Sequence, residues 1–184
     1  KATLSETSIP DDIKNIKPPI LGYFGAVDER IDFKLLDEVC AARPDWSVVL
    51  LGPLVQMEKT PVERPNFHYL GKKNYGDLPN YLKAFDVCLM PFVISDLTLH
   101  ISPTKTPEYL AGGKPVVSTP IPDVIADYSD VVAIASTSEE FIQKTEECLS
   151  DKIGDLHIRI RQKAETKSWD YIAGEMKKMI MNLE

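Results

Sequence analysis

Paired cysteines, a glycine-rich phosphate loop and any long apolar run are missing from these 184 residues, and basic side chains are the minority charge. The three cysteines, Cys40, Cys88 and Cys148, stand far apart in apolar segments with no Cys-x-x-Cys spacing. An odd, scattered set excludes a disulfide framework and a zinc site, and reads as buried, reduced thiols of a cytosolic protein. No stretch approaches the roughly 18 apolar residues of a membrane span. The opening KATLSETSIPDDIKNIKPP lacks the basic start and apolar centre of a signal peptide. With 21 Lys and Arg against 28 Asp and Glu, the formal net charge is -7. An acidic average surface repels polyanions, which excludes general nucleic-acid or anionic-membrane binding, so an anionic ligand must be held locally.

What is present is a chain that is 43% hydrophobic, enough for one full core. Residues 1–19 are polar, proline-bounded and open without methionine, and are expected to be a linker from a missing N-terminal domain. From residue 20 onward, short apolar runs alternate with helical spacing. ILGYFG (20–25), SVVLLGP (47–53), NFHYLG (66–71), DVCLMPF (86–92), KPVVST (114–119) and DVVAIA (130–135) read as strands. Helices are expected from Asp32 to Ala42, over 78–85, 104–111, 121–127 and 138–149, and over 155–167. Six short strands alternating with helices imply parallel pairing through right-handed crossovers. The expected fold is therefore a Rossmann-like three-layer α/β/α domain over residues 20–167. A last helix over 171–183, within a 168–184 segment, carries the stripe Ile172, Met176, Met179, Ile180 and Leu183, which reads as core packing or as cover for a neighbouring domain.

In such a sheet, ligands lie beyond the carboxyl ends of the strands where strand order reverses. For the order 3-2-1-4-5-6, the loops that meet there are GAVDER (25–30) and VISDLTLHISPT (93–104). The first turn lacks the three-glycine spacing of a dinucleotide fingerprint, and no Walker sequence is present. The second loop runs into HISPTKTPEYLAGG (100–113). Pro107 fits only a first helical turn, which pins the helix start to residues 103–106. There the free N–H groups and Lys105 suit a phosphate or diphosphate, while Glu108, one turn on, suits a pair of ribose hydroxyls. The alternative is capping alone, with Ser102 or Thr104 starting the helix and Gly112-Gly113 ending it. Both readings use the same residue types. His68 and His157 read as structural, and Asp28 and Asp96 lie on the relevant loops, where an aspartate also bonds its own backbone.

The stretch PTKTPEYLAGGKPVVST (103–119) resembles the donor-binding signature of retaining GT-B glycosyltransferases of the exopolysaccharide and teichuronic-acid type, Pro-x-Lys-x-x-Glu-Tyr-Leu-Ala-x-Gly-x-Pro-Val-Val. GYFGAVDERIDFKLL, PDWSVVLLGP, NFHYLGKKNYGDLPNYLKAFDVCLMPF and the closing SWD resemble the same family in the same order, covering about residues 20–184. The resemblance implies the C-terminal, nucleotide-sugar half of a two-domain enzyme, with the acceptor half missing and the last helix crossing back toward it. It makes Glu108 the ribose ligand and places the diphosphate near Ser102, Thr104 and Lys105. Gly25 would approach the phosphates, and the base would lie against Leu70-Gly71-Lys72. Two positions depart from the pattern: His100 replaces a frequent sugar-contacting glutamate, and only Arg30 stands near the place of a diphosphate-clamping Arg and Lys.

The implied activity is transfer of a sugar from a nucleoside-diphosphate donor, a UDP-sugar, to an acceptor hydroxyl in cell-surface polysaccharide synthesis. It would need neither cofactor nor metal, in the cytoplasm or at the inner membrane face through the missing domain. A sugar-nucleotide epimerase of the same architecture and a non-catalytic, receiver-like α/β module are the alternatives.

Overall fold

A computed structural model of the chain describes residues 8–99, 104–150 and 155–166. In chain order the elements are α1 (Asp11–Lys14), β1 (Ile20–Phe24), α2 (Phe33–Ala42), β2 (Ser47–Leu51), β3 (Phe67–Tyr69), α3 (Leu78–Ala84), β4 (Val87–Met90), α4 (Lys105–Ala111), β5 (Val116–Ser118), α5 (Pro122–Tyr128), β6 (Val132–Ile134), α6 (Ser138–Leu149) and α7 (Leu156–Thr166). A single 3-10 turn, Tyr75–Asp77, leads into α3. The expected helix over 171–183 lies outside the described residues, as do His100 and Ser102.

All six strands pair in parallel in the order β3-β2-β1-β4-β5-β6. Every residue of β1, β2, β4 and β5 is buried, which is why these strands read as continuous apolar runs rather than alternating ones. β3, at one end of the sheet, is only half-buried. α2 and α6 pack together across one face, while α3, α4 and α7 cover the other. Strand edges are tighter than the apolar runs suggest: Pro91 stops β4 at Met90, and β5 and β6 keep three residues each. Proline cannot donate to the ladder, so the run ends before it.

Residues read as a linker also carry structure. α1 lies within them, its Ile13 is 1% exposed and joins the core, and Ser47 Oγ donates to the Lys17 carbonyl at 2.6 Å. The core itself runs along both sheet faces, with Tyr23, Tyr109, Phe85 and Phe141 among its largest buried side chains.

The first two strands end in glycines whose backbones nearly touch. Gly52 has φ of 142°, and a Cβ placed there would lie 1.7 Å from the Gly25 carbonyl oxygen. Gly52→Ala therefore adds both a strained dihedral and a clash with rigid backbone. It is expected to lower stability by at least about 2 kcal/mol in urea unfolding with an unchanged m-value.

Candidate functional site

The carboxyl ends of β1 and β2 stay joined past the strands. Gly25 N–H donates to Leu51 O at 2.8 Å, Val27 N–H to Pro53 O at 2.9 Å, and Gly52 N–H to Gly71 O at 2.9 Å. This makes a flat backbone floor on which side chains from α4 can lie. α4 starts at Lys105, with Pro107 in its first turn as its fixed φ requires. Thr104 occupies the N-cap position but its side chain accepts no capping hydrogen bond, so that part of the capping reading is not realised. The other end is capped by glycine: Gly113 has φ of 71°, its N–H donates to Leu110 O, and Lys114 N–H donates to Tyr109 O. These are the two bonds of a Schellman ending.

Tyr109 fixes where the helix sits. Its hydroxyl, fully buried, accepts from Phe24 N–H at 3.1 Å, and the two rings meet edge to face at 4.7 Å. Its neighbours on the helix are thereby held over the end of β1. Lys105 lies across Gly25, where an added Cβ would come within 2.0 Å of Lys105 Cε. Only a glycine leaves room for that ammonium to reach the floor.

A cavity of about 300 Å³ opens at this point, lined by Phe24, Gly25, Ala26, Leu51, Gly52, Pro53, Lys73, Tyr75, Leu78, Thr104, Lys105 and Glu108. Burial pushes the Lys105 ammonium below the usual lysine pKa, with Arg30 adding to the effect and Glu108 and Asp28 opposing it. The cavity thus holds a partly dehydrated cation beside a carboxylate, in a protein of net negative charge. Tyr75 donates its phenol to Glu108 Oε1 at 3.1 Å. At the rim, Lys73 pairs with Asp12 of α1 at 2.6 Å and stands 5.4 Å over the Tyr81 ring.

The structure brings Gly25, Thr104, Lys105 and Glu108 together on one cavity. Two other expected residues stand off it. Arg30 is committed to Asp28, its Nε donating to Oδ1 at 2.8 Å and its backbone N–H to the same oxygen at 3.0 Å. Gly71 turns at φ of 73° and gives its carbonyl to Gly52 N–H rather than its surface to the cavity. The positions facing the cavity are instead Lys73 and Tyr75, a few residues on. Their signal is the polar run KKNYGD directly after β3, at the ligand-facing end of a strand. His68 lies in β3 opposite Val49, and burial lowers its pKa. His157 and Asp96 are exposed and away from the cavity lining.

Among the described residues, no group of three or more His, Cys, Asp or Glu side chains is placed to hold a metal ion. No described helix is long and apolar enough to cross a membrane.

The sequence pattern of the family Glycosyl transferases group 1 matches residues 18–151. The chain belongs to this family. A Bacillus subtilis (strain 168) protein, TuaH, whose name assigns it to teichuronic acid biosynthesis as a glycosyltransferase, is 26% identical over 167 residues, covering 86% of this chain and 42% of that protein. The architecture is that of one half of a GT-B fold. Sucrose-phosphate synthase from Thermosynechococcus elongatus superposes with a TM-score of 0.68 at 17% identity, covering 98% of this chain and 50% of that one. Anabaena HepE in complex with UDP-glucose gives 0.69 at 15% identity, covering 89% and 49%. The group 1 chain described here thus spans between two fifths and one half of the length of these relatives.

Asp28 gives the site a measurable signature in acid. The Arg30 guanidinium holds its carboxyl below the ordinary value of 3.8, against the opposing effect of burial. A carboxylate with a lowered folded pKa adds stability that is complete above its unfolded pKa and is lost as pH falls through the folded one. Asp28→Asn is therefore expected to destabilise the protein at pH 7 and to flatten the fall in stability below pH 3.8, in urea unfolding across a pH series.

Proposed function

We propose that this chain is the nucleotide-sugar-binding half of a glycosyltransferase that moves a sugar from a nucleoside-diphosphate donor, a UDP-sugar, to an acceptor hydroxyl in cell-surface polysaccharide synthesis. The observation that carries the reading is the pairing of Lys105 and Glu108 on one short helix facing one cavity. A cation and a carboxylate three residues apart match a ligand that is anionic at one end and a diol at the other. Family membership, the name of the Bacillus relative and the UDP-glucose held by Anabaena HepE support the same assignment.

In this reading Lys105 holds the diphosphate against the Gly25 and Gly52 backbones, Thr104 lies beside it, and Glu108 accepts from the two ribose hydroxyls. Ser102 and His100, which the resemblance assigns to phosphate and sugar, lie outside the described residues. As the glycosidic bond breaks, negative charge builds on the departing diphosphate. A fixed, half-dehydrated ammonium stabilises that charge more strongly than water does, and needs no divalent metal beside it. Arg30, tied to Asp28, acts on Lys105 through its field rather than by contact. The acceptor and any general base belong to a second domain, docked from the cytoplasmic side of the membrane, and configuration at the sugar is retained.

Calorimetric titration with UDP, GDP and ADP tests this. UDP is expected to bind in the micromolar range with or without EDTA, and Glu108→Gln to weaken it by about 1 kcal/mol or more. Lys105→Ala is expected to cost about tenfold, the loss of one charge-assisted contact. The isolated chain is expected to transfer no sugar. Failure of all three nucleotides to bind overturns the proposal.

A further inference from the structure

Tyr75 is 76% exposed, the most exposed of the large apolar and aromatic side chains described. It is nevertheless held in place. Its phenol donates to Glu108 Oε1 at 3.1 Å, and its backbone belongs to the Tyr75–Asp77 turn. That turn is closed by Asp77 N–H donating to Asn74 O at 3.0 Å and by Asn74 Nδ2 donating to Asp77 Oδ2 at 3.2 Å. The Glu108 charge, with the hydrogen bond to it, raises the phenol pKa, so the group stays protonated and keeps donating at neutral pH.

An aromatic side chain left three-quarters in water while its tip is tied to a carboxylate gains little for stability, because a solvent-exposed hydrogen bond is worth little and little of the ring is covered. It does leave a flat apolar face at the rim of a cavity, beside the carboxylate assigned to the ribose. A base is bonded to the sugar carbon next to the diol, so a nucleoside whose diol sits on Glu108 carries its base within reach of this ring. The Oε1 atom that Tyr75 occupies has room for a second donor, and Oε2 for more.

We propose that Tyr75 is a specificity-determining residue that reads the nucleoside end of the donor: its ring is the face on which the base stacks, and its phenol shares Glu108 with the ribose diol. This rests on the donor-site reading above and adds to it the surface that meets the base. Lys105 and Tyr75 then divide the ligand between them, one taking the charge and the other the flat end.

The test uses UDP and inorganic pyrophosphate as probes, titrated into the wild type, Tyr75→Ala, Tyr75→Phe and Glu108→Gln, with melting temperatures confirming folding. Tyr75→Ala is expected to weaken UDP by about tenfold, the loss of one base–aromatic stack, while leaving pyrophosphate within about twofold. Tyr75→Phe keeps the ring and is expected to lose less than half as much on a logarithmic scale. Should Tyr75→Ala not fold, Tyr75→Leu, apolar but without a flat face, is expected to behave in the same way. UDP binding that is weakened by Glu108→Gln but unchanged by Tyr75→Ala or Leu overturns this proposal alone. Equal losses for UDP and pyrophosphate also overturn it, since the residue would then be shaping the whole cavity. Absence of UDP binding to the wild type overturns the donor-site reading and this one together.

Discussion

A single buried hydroxyl, that of Tyr109, decides how the site is assembled. α4 has only seven residues and begins without a side-chain cap, so local forces alone would position it poorly. By accepting from Phe24 N–H, Tyr109 satisfies a backbone donor at the end of β1 and fixes both the depth and the rotation of the helix against that strand. Glu108, next to Tyr109, and Lys105, about one turn before it, inherit that rotation. The Schellman ending reinforces it from the other side, and Lys114, the residue that completes it, sends its ammonium to the carbonyls of Lys83 and Phe85 at 3.1 and 2.6 Å. α3 and α4 are thus tied at their far ends as well as across the cavity.

The sheet was readable because parallel strands covered on both faces leave an unmistakable trace: five-residue runs such as SVVLL that no amphipathic helix would contain. The strand order 3-2-1-4-5-6 follows from right-handed crossovers and the usual reversal after the third strand, and the structure has that order. Strand ends were less readable, since apolar residues such as Phe92 continue past the parallel ladder, where Phe92 only bridges Ile31, and fill the core above the strand. α1 escaped notice for the opposite reason. Four residues containing one buried isoleucine give no periodicity to detect, and its docking depends on Lys73 and Tyr81, more than sixty residues away.

The candidate site divides along the same line. Residues 104–108 and Gly25 could be placed from the chain because a proline, a helix start and a strand end fix them locally. Arg30 could not, because its direction is set by Asp28 two residues earlier, and a loop arginine can point either outward or back on its own turn. Tyr75 could not either: its meeting with Glu108 spans 33 positions and needs the α3–α4 arrangement to be known first. Sequence reasoning finds residues whose geometry is local and misses those whose partner is brought by the fold.

The enclosed ammonium of Lys105 has a kinetic corollary. In a molecule carrying seven excess negative charges, the field felt by an approaching anion at long range is repulsive, and the attraction of one half-buried lysine takes over only near the cavity mouth. Added salt screens the distant repulsion over a Debye length of about 8 Å at physiological ionic strength, but hardly reaches a charge shielded by Gly25 and Glu108. Anions should accordingly arrive faster, not slower, as ionic strength rises from low values, while their residence time stays nearly constant. That is the reverse of the behaviour of a basic, electrostatically steered binding surface.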